Sequence, residues 1–222
     1  MIKNSIKQRF LLLVIIIIFI IPNSATAFQI KGSSNSPGIE TIIIIRHAEK
    51  PKAGLGQLSV TGLKRSLLLP DFFKKHFPKP DYIFAPNPAI KHFENHGDKK
   101  HHYYIRPLLT IAPTAITLGM PVNTGIGLDT PENLVKKLLE SKYHSSTIYV
   151  AWEHSQIVDI AKMLIRHFNS DTKVPGWSNK DFNMIFVFTI DWNKKLEKLK
   201  FEVKSEGFHD ITNKAVRPTY LN

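Results

Sequence analysis

Four basic side chains in this 222-residue sequence stand where chemistry can use them. Arg46 and His47 close an isoleucine run, Ile42-Ile43-Ile44-Ile45. Glu153-His154 closes a second apolar run, Thr147 to Trp152, and Arg106 opens an apolar stretch at Arg106-Pro107. Guanidinium forks match phosphate oxygens, and imidazole serves as a nucleophile or a hydrogen-bond donor. Two arginines and two histidines in one crevice therefore make a receptor for a phosphoryl dianion. Cysteine is absent, which excludes disulfides, Cys-ligated zinc or iron–sulfur centres, and a thiolate nucleophile.

Bringing those residues together is the task of the fold. The wholly apolar, β-branched run Thr41–Ile45 fits a central parallel strand covered on both faces. Tyr82–Ala85, Thr147–Trp152, Met184–Ile190 and Leu196–Val203 read as further strands, the last two joined through Asp191–Lys194. Apolar spacing predicts helices over Thr61–Phe77, Arg106–Leu118, Pro131–Lys142 and Ser155–Phe168, with Pro70 a kink or break in the first. Residues 89–104 read as a polar, His-rich loop. The alternation predicts a three-layer α/β/α sandwich with a mostly parallel central sheet and a late antiparallel strand. Ligands of such sheets bind beyond the C-terminal strand ends, and there Arg46, His47, Arg106, Glu153 and His154 converge.

At this point the sequence resembles a known family. Ile42–Lys50 (IIIIRHAEK) is similar to the signature segment of the histidine phosphatase superfamily, the phosphoglycerate-mutase-like group. Leu58-Ser59-Val60-Thr61-Gly62 resembles the turn that opens the family's first helix, and Asp81–Phe84 its second strand. Arg106-Pro107-Leu108-Leu109-Thr110 resembles its second arginine with a downstream threonine, and Ala151–His154 the late strand ending in the second histidine. The resemblance covers residues 41–204. It implies that His47 attacks phosphorus and becomes transiently phosphorylated, while Arg46, Arg106 and His154 hold the equatorial oxygens. It implies no metal and no cofactor, since two guanidiniums supply the positive charge. Glu153 is the first choice as proton donor, with Asp129 and Glu49 behind it. The sequence departs from the family pattern in the 17 residues (89–105) that separate Ala85-Pro86-Asn87-Pro88 from Arg106, and in Leu109, where a glutamine is common. The long insertion predicts a larger rim on the pocket.

His92, His96, His101 and His102 fall within eleven residues, but Pro88, Gly97 and Lys99-Lys100 make the segment a solvated loop rather than a metal site. Trp152, Trp177 and Trp192 read as core or rim packing, with a border for substrate the second reading of Trp152, which stands beside the site.

Residues 1–27 differ from the rest. Lys3, Lys7 and Arg9 precede an unbroken apolar run, Phe10–Ile21, and Ala25-Thr26-Ala27 follows. That order predicts a signal peptide cleaved after Ala27, an exported (periplasmic or secreted) protein, and one domain over 28–222. The run of 12 is short for a membrane span of about 20 residues, so membrane attachment is expected only if the segment is retained. The whole chain carries +12 and the segment after Ala27 +9, which favours anionic partners such as a phosphorylated small molecule or a phosphorylated envelope component. The basic residues are scattered and no nucleic-acid-binding signature occurs, so nucleic acid is not an expected partner. A catalytically silent phospholigand-binding protein on the same fold is the alternative reading.

Overall fold

The computed structural model describes residues 36–211 apart from His96 and Glu197. The segment 1–27 and its cleavage site lie outside the described residues, as does His96 of the His-rich loop.

The isoleucine run forms the middle of strand β1 (Ile39–Arg46), and Ile42–Ile45 are all buried. Burying such a side chain stabilises by about 1.5–3 kcal/mol, so this strand belongs at the centre of the sheet. Its neighbours come from the second half of the chain. β5 (Thr147–Trp152) pairs parallel with it, Thr41 opposite Thr147, and β6 (Met184–Asp191) pairs antiparallel, Ile43 opposite Val187. β2 (Tyr82–Phe84) and β7 (Leu199–Ser205) complete the order β2-β5-β1-β6-β7. Four strands share one direction and β6 alone runs against them.

Because strand side chains alternate, β1 serves both faces. Ile43 and Ile45 pack with Leu69 and Phe73 of α1 (Val60–His76) and Ile111 and Ala115 of α2 (Arg106–Leu118). Ile42 and Ile44 pack with Leu134 and Leu138 of α3 (Pro131–Leu138) and Ile160 and Leu164 of α4 (His154–His167). The sandwich thus has three layers, as the alternation predicts.

Three expectations need adjustment. Pro70 does not break α1, which runs through it; Pro70 is buried, and packing of that face outweighs the missing hydrogen bond. The helix predicted over 131–142 ends at Leu138, and Ser141–Tyr143 form a separate 3₁₀ turn. The last strand starts at Leu199, because its register with β6 pairs Leu199 with Ile190, so the connection that leaves β6 after Asp191 is longer than the sequence suggests.

The largest addition is a hairpin. Within the predicted loop, β3 (Lys91–Phe93) pairs antiparallel with β4 (His101–Tyr103). Its base lies on the turn that follows His47. The Gly56 carbonyl oxygen accepts from the N–H groups of Ile105 and Arg106, and a Cβ at Gly56 would stand 2.1 Å from the Tyr103 carbonyl oxygen. At φ +67, that position suits glycine on both counts.

Candidate active site

The ends of β1 and β5 bring the predicted residues to one place. The His47 backbone N–H donates to the Trp152 carbonyl at 2.9 Å, extending the ladder past the last strand residue. Arg46, His47, Arg106, Glu153 and His154 all line one cavity of about 290 Å³, with Lys50, His92, Glu94, Tyr104 and Asp129. Thr110 ties the arrangement together. Its hydroxyl donates to the Arg106 carbonyl at 2.8 Å and accepts from the Ala48 N–H at 2.9 Å.

His47 is buried, and its Nδ1 lies 2.8 Å from the Ala48 carbonyl oxygen. A carbonyl only accepts, so Nδ1 carries the hydrogen and Nε2 keeps a free lone pair. Burial, reinforced by the positive charges of Arg46 and Arg106, holds the imidazole well below its ordinary range, so the ring is neutral at physiological pH.

The two guanidiniums are held differently. Arg46 Nη1 donates to the carbonyls of Asn179 and Asp181, each at 2.9 Å, and its head lies 4.0 Å from the Phe182 ring centre. Its Nε is buried without a partner. Arg106 opens α2 and donates from Nη1 to the Tyr104 hydroxyl at 3.2 Å; its Nη2 meets the Glu94 carboxylate. Burial lowers both arginines, Arg106 to about 10, and both remain charged at neutral pH.

His154 is the first residue of α4, and its Nδ1 contacts the Glu153 carboxylate. Glu153 caps that helix, accepting from the N–H groups of Ser155 at 2.8 Å and Gln156 at 3.1 Å. Burial alone would raise this carboxyl; the bonds from His154, Ser155 and Gln156 outweigh it and bring it to about 2. Glu153 is the first choice as proton donor from the sequence, yet the bonds it accepts here favour its ionised form, the opposite of what a donor needs. The two acids behind it fare no better. Glu49 turns to Arg65, which donates to it from Nε and Nη2 at 2.8–3.1 Å, and it does not line the cavity. Asp129 does line the cavity, but its side chain is 56% exposed and accepts from His92 Nδ1 at 3.0 Å. Trp152 is core packing rather than a border: it is fully buried and donates its indole N–H to the Leu128 carbonyl.

Three residues the sequence reading passed over contribute here. Tyr104 is buried edge-on against His47, with ring centres 5.8 Å apart, and supports Arg106. Burial, with the nearby Glu153 charge, pushes its phenol well above the ordinary range, so the hydroxyl keeps its proton. Glu94, just past β3, is only 7% exposed and faces both Arg106 and Lys50, the latter at 3.2 Å. Lys50 is itself lowered, first by burial and then by the two arginines. Glu94 is one of two acids, with Asp98, inside a basic, His-rich insertion, and nothing in the sequence sets it apart.

Nothing in the sequence matches a protein-family model or a curated protein. Solved structures do match. A Nakamurella multipartitia protein assigned as phosphohistidine phosphatase SixA is 16% identical, with a TM-score of 0.50 over 77% of this chain and 95% of its own. Protein histidine phosphatase SixA, solved with tungstate, is 12% identical, with a TM-score of 0.51 over 75% of this chain and 97% of its own. What is shared at this identity is the fold, and it is the fold implied by the resemblance around Ile42–Lys50.

Proposed function

We propose that this chain is a phosphatase that hydrolyses a phosphomonoester through a phosphohistidine at His47. The observation that carries the reading is the state of His47: a buried neutral imidazole with Nδ1 committed to Ala48, in a cavity shared with two charged arginines. In the first step Nε2 attacks phosphorus and the ester P–O bond breaks, its electron pair leaving on oxygen, which takes a proton to become the alcohol. Water then attacks the phosphohistidine, and the N–P bond breaks with its pair returning to Nε2. Inorganic phosphate departs. Arg46, Arg106 and His154 stabilise the charge on the equatorial oxygens in both steps, worth about 10²–10³-fold per donor. Glu153 acts as a positioning residue, holding His154 by its Nδ1. The tungstate complex of a protein with this fold is consistent with a seat for a tetrahedral oxyanion.

Residues 1–27 support an exported enzyme cleaved after Ala27, acting on a phosphorylated small molecule or envelope component; N-terminal sequencing of the protein isolated from cells tests the cleavage. The activity is tested by phosphate release from a chromogenic ester and a panel of biological monoesters, with chelator present, and by trapping label on the protein with an alkaline denaturing quench, since the N–P bond of phosphohistidine is acid-labile. Release that depends on His47, with label lost in His47→Ala, is the expected result. Phosphate binding without release from any ester would instead favour a silent phospholigand-binding protein.

A further inference from the structure

We infer that Glu94, carried over the cavity by the inserted hairpin, is the general acid that protonates the leaving oxygen and then the base that activates water. This inference rests on the phosphatase reading above. Among the described residues that line the cavity, three bear carboxylates: Glu94, Asp129 and Glu153. Glu153 is fastened to two backbone N–H groups, and Asp129 stands largely in solvent. Glu94 is buried, and the cationic partners of its carboxylate are Arg106 and Lys50.

Those partners are the ones a phosphoryl group reclaims. When a dianion takes Arg106, Glu94 loses its strongest counter-charge and gains a negative neighbour, and both changes favour its protonated form. Its position also suits the leaving group. His47 rises from the end of β1, whereas Glu94 arrives on the hairpin. Tyr104 packs against both His47 and the hairpin, its ring centre 5.8 Å from that of His47 and 5.4 Å from that of His92 on β3. In-line displacement sends the departing oxygen away from Nε2, and on this assignment it meets Glu94, which lines the same cavity.

The chain is shaped to keep the carboxylate there. A Cβ at Gly54 would stand 2.6 Å from Glu94 Cγ, and Gly54 has φ +83, so the turn after His47 leaves room for this stem. The Glu94 backbone N–H donates to the Lys100 carbonyl at 2.9 Å, fixing the residue at the end of its strand pairing.

The proton accounting closes over the cycle. Protonated Glu94 gives its hydrogen to the ester oxygen as the P–O bond breaks, yielding the alcohol and a carboxylate. That carboxylate takes a proton from the water that attacks phosphohistidine, and Glu94 is again protonated until phosphate leaves.

A general acid matters most when the leaving group is poor, so the test compares leaving groups in the full chain. Wild type, Glu94→Gln and Glu94→Asp are assayed on p-nitrophenyl phosphate and on a panel of alkyl phosphates, with thermal melting as a check on folding. Loss of Glu94 is expected to lower kcat/KM, which reports the leaving-group step, about 10²–10⁴-fold on alkyl phosphates and only about threefold or less on the nitrophenyl ester; kcat on both falls where hydrolysis of phosphohistidine limits turnover. Glu94→Asp is expected to recover part of the alkyl turnover. An equal loss of kcat/KM on both esters in Glu94→Gln, or a gain on both, overturns the assignment; the gain would mean that Glu94 only guards Arg106. Failure of wild type to cleave any alkyl phosphate while it cleaves the nitrophenyl ester through His47 also overturns it. No His47-dependent release from either class would instead sink the phosphatase reading, and this role with it.

Discussion

The strand ends that carry Arg46, His47, Glu153 and His154 grow from a sheet whose central isoleucines are sealed from water. Facing them, the hairpin Lys91–Tyr103 is two three-residue strands with half-exposed side chains. Yet the buried Glu94 sits on the hairpin. Packing energy alone does not place it; it is held by charge, through Arg106 and Lys50, and by the glycines of the turn below. A rigid floor suits groups that must not move during phosphoryl transfer, and a roof held by ion pairs suits a group that must release its partner when substrate binds.

That contrast is open to direct challenge, and the largest effect is expected on the floor. His47→Ala is expected to reduce phosphate release by about 10⁴-fold or more, read under saturating ester. Arg106→Ala follows at about 10²–10³-fold, and it is expected to loosen the roof as well, since Glu94 loses its partner. Increased protease cleavage within residues 91–103 is the readout; an unchanged cleavage pattern would break the coupling of roof to floor.

Stability sharpens the same comparison at smaller scale. Ile44→Ala, beneath the floor, is expected to cost about 2–5 kcal/mol by urea denaturation. Phe93→Ala on the hairpin, where the ring is 42% exposed, is expected to stay within about 0.5 kcal/mol. Equal costs would mean the hairpin is part of the core after all.

The floor also carries a pH signature. Native His47 is held neutral, whereas in the unfolded chain a histidine titrates near ~6.5. Below that value the unfolded state binds a proton that native His47 refuses, so this contribution to stability falls as pH drops through about 6.5 and below. His47→Asn is expected to be more stable relative to wild type at pH 5 than at pH 8; melting curves at the two values decide it.

The sequence made the floor readable for a physical reason. Ile42–Ile45 is too apolar for anything but a strand buried on both faces, and whatever follows such a strand lies at the ligand end of the sheet. His47 and Arg46 could therefore be placed from one segment. His154 and Arg106 followed from the same logic at β5 and α2. Glu94 could not be placed that way. Its strand is three residues long and lacks a period, and its partner Arg106 stands beyond a polar turn. Glu153 ranks first as a donor for a related reason: adjacency to His154 is visible in sequence, but the helix amides of Ser155 and Gln156 that favour its ionised form exist only in the fold.

The central position of β1 has a consequence for how the chain is made. Its partner β5 begins 106 residues later, Thr147 against Thr41, and its other partner β6 later still. At about 5–20 residues per second, the isoleucine segment leaves the ribosome roughly 5–20 s before a neighbour exists to pair with it. Throughout that interval it is an uncharged, proline-free β-former with both edges open, the kind of segment that joins other chains. Glu40 and Arg46 bracket it with opposite charges, so they serve the nascent chain as gatekeepers before Arg46 serves the cavity.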